Sequence, residues 1–405
     1  MSLFAALRLP REVLFGAGQR HALGKVAAGL GSRALVCTDA RLAGEPVFAD
    51  MMTLLRDAGL TILIDASVEP DVPRASCNRV ALAASDFTPD LVIGIGGGAC
   101  LDLAKTVSLL LSHGGSPEHY YGEGKVPGPI LPVIAVPTTA GTGSEVTPVA
   151  VLSDPDRAMK VGISSAHLIP AAAICDPELT LTCPASLTAI AGADALTHAI
   201  EAFTATRRQP APMLAQERVF VGKSALTDHF ALLAIEMLGR SLERAYRNGS
   251  DLKARADVMM GALSAGMAFG TAGTAAAHAI QYPIGTLTHT AHGLGVACML
   301  PYVMTYNRSH AMAEFAAIGR AMGAEAADDA ALADAAIAKV QALFKTIGIP
   351  VTLDALGLEA DKLDWTCEQA MTIARLIDNN PRPLDAAAMK RLVSAAHSGN
   401  LQNAS

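Results

Sequence analysis

The sequence predicts an α/β half built on a parallel sheet, a nucleotide-binding architecture, followed by an all-α half. Three observations carry that reading. Through the first 180 or so residues, short β-branched runs alternate with amphipathic helical patterns, as in a parallel sheet covered by helices on both faces. After Leu181-Thr-Cys-Pro184, strand-like runs nearly vanish and long Ala/Leu/Met stretches of helical character run to the C-terminus. A chain of 405 residues is also too long for one ordinary core. The change of texture is therefore read as a boundary between domains at 1–183 and 184–405.

In order along the chain, the expected strands are Arg33 to Asp39, Leu60 to Asp65, Leu91 to Ile95 and Leu131 to Val136. Val47 to Ala58 and Cys77 to Ser85 read as amphipathic helices between them. The third strand runs into Gly96-Gly97-Gly98-Ala99-Cys-Leu-Asp102-Leu-Ala-Lys105, a glycine run that opens a helix. Three consecutive glycines exceed what a tight turn needs. They let a pyrophosphate approach the backbone, where the helix N-terminus supplies free N–H groups. The letters fit G-x-G-x-x-A, but the acid expected ~20 residues downstream in a standard dinucleotide site is missing. The best acid, Asp39, lies upstream, at the end of an earlier strand. It is either a turn residue or an adenosine-ribose acceptor that repels a 2′-phosphate and so favours NAD over NADP. After the fourth strand comes Pro137-Thr138-Thr139-Ala-Gly141-Thr142-Gly143-Ser144-Glu145. This loop of small hydroxyl residues can line a cofactor crevice or serve only as structure.

Composition narrows the functional classes. The net charge of -7 comes without any Lys/Arg stripe, so nucleic acid is not expected as a partner. Although 51% of residues are hydrophobic, no apolar run approaches the ~18 residues that span a bilayer. The first ten residues lack the order of a signal peptide. The expectation is a cytoplasmic protein that does not enter membranes. Seven cysteines lie scattered without a CxxC pair, which indicates neither a disulfide framework nor a cysteine zinc site.

Four residues of the helical half carry the sharpest chemistry. Asp194 and His198 stand four apart in Gly192-Ala-Asp194-Ala-Leu-Thr-His198-Ala-Ile-Glu, so both project from one face of one helix. His278 and His292 flank a stretch containing Pro283 and Gly285. Those breakers predict that His278 ends one helix and His292 opens the next. One carboxylate and three imidazoles make a complete set of ligands for Fe(II) or Zn(II). Each half of the set alone is more often a surface pair or a satisfied core histidine. Their small apolar surroundings favour ligation, because unpaired groups there are costly to bury.

The glycine run with Asp102 and Lys105, the Pro-Thr-Thr-x-Gly-Thr-Gly-Ser-Glu loop, the Asp194/His198 segment and the His278/His292 segment together resemble the iron-containing (group III) alcohol dehydrogenase family. The resemblance extends over nearly the whole chain, to the closing Asn380-Pro-Arg-Pro383. It implies a dehydroquinate-synthase-like architecture and hydride exchange between NAD and a small alcohol or aldehyde. It further implies Fe(II) or Zn(II) bound by Asp194, His198, His278 and His292. By position, Gly96, Gly97, Gly98, Asp102, Thr138 and Thr139 would serve the cofactor, with Asp39 at its ribose. Ser144, Lys160 and Leu179 are similar to further cofactor-side positions, and the expected assembly is a homodimer.

This sequence departs from the family at three places. Tyr282 stands where many members carry a histidine four residues after the third ligand, so His289 competes with Tyr282 as the proton relay. Ala99 replaces the usual serine after the glycines. The segment from Arg207 to Lys223 is longer than expected between two helices near the site. Two alternatives use the same architecture. One is a dehydroquinate-synthase-like lyase, which would need basic residues around the metal where these segments are Ala-rich. The other is an alcohol:aldehyde transhydrogenase that traps its NAD.

Overall fold

The computed structural model describes residues 4–157 and 159–405. Its strands in chain order are β1 (Glu12–Phe15), β2 (Arg33–Cys37), β3 (Thr61–Asp65), β4 (Leu91–Gly96), β5 (Gly122–Glu123), β6 (Val133–Pro137), β7 (Val149–Leu152), β8 (Val161–Ser164) and β9 (Ala172–Cys175). Six of them form one sheet in the order β1-β9-β6-β4-β2-β3, parallel throughout. Successive side chains alternate between its faces. Leu35 and Val92 pack with Leu103 and Val107 of the helix Gly98–His113. Val36, Ile93 and Ile134 pack on the other face with Met51 and Leu55 of the helix Pro46–Asp57. With both faces covered, β4 can be apolar without interruption, and all six of its residues are buried.

The four strands anticipated from sequence are present within two residues of their expected bounds. β1, β5, β7, β8 and β9 were not anticipated. β9, Ala172-Ala-Ile-Cys175, has the composition of a helical segment; it is a strand because β1 and β6 pair with it on either side. β7 and β8 run antiparallel and, with β5, make a second sheet of three strands. Without β1, the main sheet has the 2-1-3-4-5 order of a doubly wound fold, and its direction reverses between β2 and β4. Ligands of such sheets bind outside the carboxyl ends of the strands at that reversal. Asp39 follows β2 there, and the glycine run follows β4.

Among the described residues no strand follows β9. The helices Ala185–Thr204, Ala225–Arg247 and Leu252–Ala272 share an alanine-rich core, whose short side chains allow close approach. The Thr/Gly loop rests against this half. Gly143, at φ 61, lies so near Gly266 that a β-carbon on it would stand 2.6 Å from the Gly266 Cα. The chain then bends by 101° between the helices Leu252–Ala272 and Ala276–Thr288. Among the described residues, no single helix is long and apolar enough to cross a membrane. All seven cysteines are free, six of them buried.

One expectation needs correction. His278 does not end a helix; it lies in the first turn of Ala276–Thr288, which continues through Pro283 and Gly285. The proline leaves a gap in the backbone ladder. One turn further on, the hydroxyls of Thr286 and Thr288 donate to the carbonyls of Tyr282 and Ile284, and the helix is held by apolar packing along Ala276, Ala277, Ile280 and Ile284. His292 opens the helix His292–Asn307 as expected.

Candidate active site

The glycine run is shaped by close contact as well as by torsion. Gly96 has φ 147, and a β-carbon there would stand 2.4 Å from Cys100 Sγ. Gly97 is the N-cap of the helix Gly98–His113 and offers no side-chain cap. The first N–H groups of that helix therefore remain free for an anion. Thr138 N donates to Gly96 O at 2.9 Å, joining the two loops, and Thr139 flanks Gly97. Asp39 caps the short helix Ala40–Ala43 by accepting from Leu42 N at 2.9 Å. Its second oxygen faces Gly96 and Cys100. One oxygen of Asp39 therefore holds the turn, and the other faces the glycine run. Leu179 is buried in the core on the Met51 side of the sheet.

Asp102 is tied down by its own chain. It accepts from Ser144 Oγ at 2.6 Å and Val151 N at 3.0 Å, joining the glycine-run helix to the Thr/Gly loop and β7. Behind it Lys105, fully buried, donates from Nζ to Thr147 O at 2.9 Å and Val149 O at 2.8 Å. Burial pulls the Lys105 ammonium down to about 8, against the raising pull of Asp102 and Glu145. Burial pushes the Glu145 carboxyl up to about 7. Lys160 reaches the same cavity wall and pairs with Asp71 at 2.5 Å.

Asp194, His278 and His292 bring one ligand atom each within 4.8 Å of one another. His198 joins from the side, with Nε2 3.8 Å from Asp194 Oδ1 and its ring stacked between Phe269 at 4.2 Å and His278 at 4.7 Å. The histidines are oriented from behind. His278 Nδ1–H donates to Glu201 Oε2 at 2.6 Å, and His292 Nδ1–H donates to Gln281 Oε1 at 2.7 Å. In this tautomer each Nε2 presents a lone pair to the centre, the usual outer arrangement of a metal-binding histidine. Glu201 also accepts from Ala275 N and Ala277 N, both at 2.7 Å, and so anchors the start of the helix that carries His278.

Asp194 Oδ1 and His278 Nε2, 3.8 Å apart, are buried without any hydrogen-bond partner. Such orphans are costly inside a protein, and a divalent ion satisfies a carboxylate oxygen and an imidazole nitrogen together. Burial holds His198 and His292 well below the ordinary histidine range, so both are neutral and able to ligate. Burial also pushes the Asp194 carboxyl up to about 7, against the pull of His278. A cation at the centre would reverse that shift. The residues present fit a divalent metal.

These groups open on a cavity of about 250 Å³ that reaches from Gly98 to the helical half. Beyond the metal residues its wall includes Phe220, Phe269, Tyr282 and Arg375. Tyr282 stacks on His292 with ring centroids 5.8 Å apart. His289 is not brought there. It sits exposed in the left-handed conformation, φ 54, past the end of its helix, and does not line the cavity. The backbone reversal needed to bring His292 back to the centre turns His289 outward. Of the two relay candidates, Tyr282 is the one that lines the cavity.

Sequence reasoning missed Glu201, Gln281, Phe220 and Arg375. Glu201 had a signal, since positions 194, 198 and 201 share one helical stripe. Phe220 had none. It belongs to the long 207–223 segment, which folds back through a bridge between Arg207 and Gly222. Val219 O accepts from Arg8, and Val219 N and Phe220 N donate to Glu123. Arg375 lies near the closing Asn-Pro-Arg-Pro, whose Asn380 exchanges amide hydrogen bonds with Asn307 at 2.8 Å.

Comparison with known proteins agrees with this geometry. The profile described as "Iron-containing alcohol dehydrogenase" matches residues 10–177. The profile "Fe-containing alcohol dehydrogenase family, C-terminal" matches residues 188–397. Long-chain-alcohol dehydrogenase 1 of Geobacillus thermodenitrificans is 36% identical over 372 residues, 91% of this chain and 90% of that protein. The NAD-dependent methanol dehydrogenase of Bacillus methanolicus is 30% identical over 377 residues, 92% of this chain and 95% of its own length. A crystal structure of 1,3-propanediol oxidoreductase superposes with a TM-score of 0.90 at 31% identity, covering 97% of this chain and all of that one. The chain belongs to the iron-containing alcohol dehydrogenase family, metal-dependent oxidoreductases acting on CH–OH groups, with the dehydroquinate-synthase-like fold of that family.

Proposed function

We propose that this protein is an NAD-linked alcohol dehydrogenase or aldehyde reductase for small substrates, with Fe(II) or Zn(II) held by Asp194, His198, His278 and His292. The observation that carries the reading is the set of orphaned ligand atoms on the cavity that also reaches the glycine-run helix. When bound, the metal polarises the substrate oxygen while the nicotinamide exchanges hydride with the carbon that bears it. The chain supplies the rest. Glu201 and Gln281 fix the tautomers of His278 and His292. Phe269 covers His198 and keeps water off that side. Free N–H groups at Gly98 and Ala99 receive the pyrophosphate, and Thr138 and Thr139 line the adjoining loop. Lys160, paired with Asp71, borders the cofactor's end of the cavity.

A panel of alcohols and aldehydes followed by NADH absorbance tests this reading. Metal-dependent change in NADH on at least one pair supports it. Substrate turnover with no net change in NADH would favour the lyase or the transhydrogenase instead.

The second oxygen of Asp39, held only by the weak donor Cys100 Sγ, supports NAD over NADP. Asp39→Gly is expected to raise the NADP:NAD ratio of kcat/KM by at least ~10-fold, about 1.4 kcal/mol in transition-state terms. The lost cap costs only a few tenths of a kcal/mol, since glycine is tolerated at that position. An unmoved ratio, or a wild type that already prefers NADP, would leave Asp39 a turn residue only.

Tyr282 is raised by burial and stays protonated at neutral pH, so its hydroxyl is a donor at the substrate's end of the cavity. Tyr282→Phe is expected to lower kcat by ~10-fold or more, a modest share of what positioned proton donors contribute. His289→Ala should cost less, with metal content equal in the two variants. The reverse order would return the relay to His289.

A further inference from the structure

Arg375 is the one arginine on the cavity wall, and the catalytic reading above gives it no role. Among the described residues its guanidinium makes no hydrogen bond and no ion pair. Its contact is with the ring face of Phe220, 4.2 Å from Cζ to the centroid. The charged and titratable groups that face it are Tyr282, Glu123 and Glu201. Both carboxylates are committed elsewhere. Glu123 accepts from Val219 N and Phe220 N. Glu201 holds Ala275 N, Ala277 N and His278 Nδ1. Arg375 is half-buried, and its guanidinium is left free to take an anion at the cavity wall.

The position of that guanidinium defines a class of substrate. Tyr282 touches both ends of the space: its ring stacks on His292, and it stands in the electrostatic reach of Arg375. Arg375 lines the same cavity as Asp194, His278 and His292, so one short molecule can place an anion on the guanidinium and its oxo group at those residues. The walls between are Phe220, Phe269 and the Tyr282 ring, which suit a short apolar spacer. The planar guanidinium fork matches the two oxygens of a carboxylate.

We propose that the substrate is a short ω-oxocarboxylate and its hydroxy acid, with the oxo group at the metal residues and the carboxylate on Arg375. Phe220 is then a positioning residue, since its ring holds the guanidinium in place. The inference also gives the long 207–223 segment a function, because that segment delivers Phe220 to the wall.

The proposal rests on the dehydrogenase reading, and the test separates the two. Metal-loaded enzyme is assayed with NADH on succinic semialdehyde and on butanal, its uncharged counterpart of equal length. Binding of 4-hydroxybutyrate and of 1-butanol is measured by calorimetry on the same preparations. The wild type is expected to prefer succinic semialdehyde by at least ~30-fold in kcat/KM, mostly through KM, about 2 kcal/mol in transition-state terms. Arg375→Met should collapse that preference to within ~3-fold and weaken 4-hydroxybutyrate binding by at least ~10-fold. Arg375→Lys, which keeps the charge but loses the fork, should retain part of both. Three results would overturn the proposal: a wild type that reduces butanal equally well, an Arg375→Met variant whose two activities fall together, or a preference for the acid that survives Arg375→Met. The first two leave the dehydrogenase reading standing. Turnover of neither aldehyde, together with no 4-hydroxybutyrate binding, also overturns the proposal, and the dehydrogenase reading falls with it only if the wider panel of alcohols and aldehydes gives no metal-dependent change in NADH.

Discussion

The His278→Ala variant is expected to lose bound metal and activity together while its fold largely survives. His278 provides a buried lone pair at Nε2, and no neighbouring group can replace it. Loss of an outer partner typically costs ~10–100-fold in metal affinity, so loss of a direct ligand should cost more than ~100-fold. Glu201→Gln tests the same centre one shell out. It leaves His278 in place but weakens the acceptor that fixes its tautomer, so a loss within the ~10–100-fold range is expected. Metal content by elemental analysis and circular dichroism on the same samples check both variants. Full occupancy and activity in His278→Ala would remove it from the metal set. A larger loss in Glu201→Gln than in His278→Ala would mean that Glu201 acts through the fold rather than through His278.

The second large effect is structural. Lys105→Met is expected to destabilise the protein by about 3–5 kcal/mol, the usual consequence of removing one partner from a buried charged group. Nζ sits between two backbone carbonyls and offsets the carboxyls of Asp102 and Glu145. Methionine keeps the volume but leaves both carbonyls unpaired and both carboxyls without a counter-charge. The pH dependence has a definite sign. The folded-state pKa of Glu145 is raised to about 7 by burial, so the folded chain binds that proton more tightly than the unfolded chain. Its contribution to stability is full below the ordinary glutamate value and is lost as pH rises through about 7. In Lys105→Met that decline should steepen. Urea denaturation between pH 5 and pH 8 measures it, and a loss under about 1 kcal/mol would show that water or a shifted carboxyl replaces the ammonium.

What could be read from the sequence follows the range of the signals. β2, β4 and β6 were legible because buried parallel strands are continuous apolar runs, the half-exposed edge strand β3 by its run of branched apolar residues, and the glycine run marked its own turn. β9 was not, because four small residues become a strand only when two neighbours pair with them. The pair Asp194/His198 showed its face through helical spacing, and Glu201 stood on the same stripe unread. Pro283 misled the placement of His278, since the breaker rule is local while the packing that holds the helix is not. Gly143 illustrates a further limit. Composition left its loop open between a cofactor crevice and plain structure, and the close contact with Gly266 shows that the glycine serves packing. Phe220 and Arg375 lie 155 residues apart in the chain, and nothing short of the fold brings them together.

The central claim, that one divalent metal on Asp194, His198, His278 and His292 supports NAD-linked chemistry, is tested most directly by restoring metal to stripped protein. Fe(II) and Zn(II) are each titrated in while NADH consumption is followed on a short aldehyde. The expected result is a rate that is near zero without metal and rises in proportion to occupancy, saturating at a single ion per chain. At least one of the two metals should give this response. A full rate in the metal-free protein, or no NADH consumption at full occupancy with either ion, would contradict it.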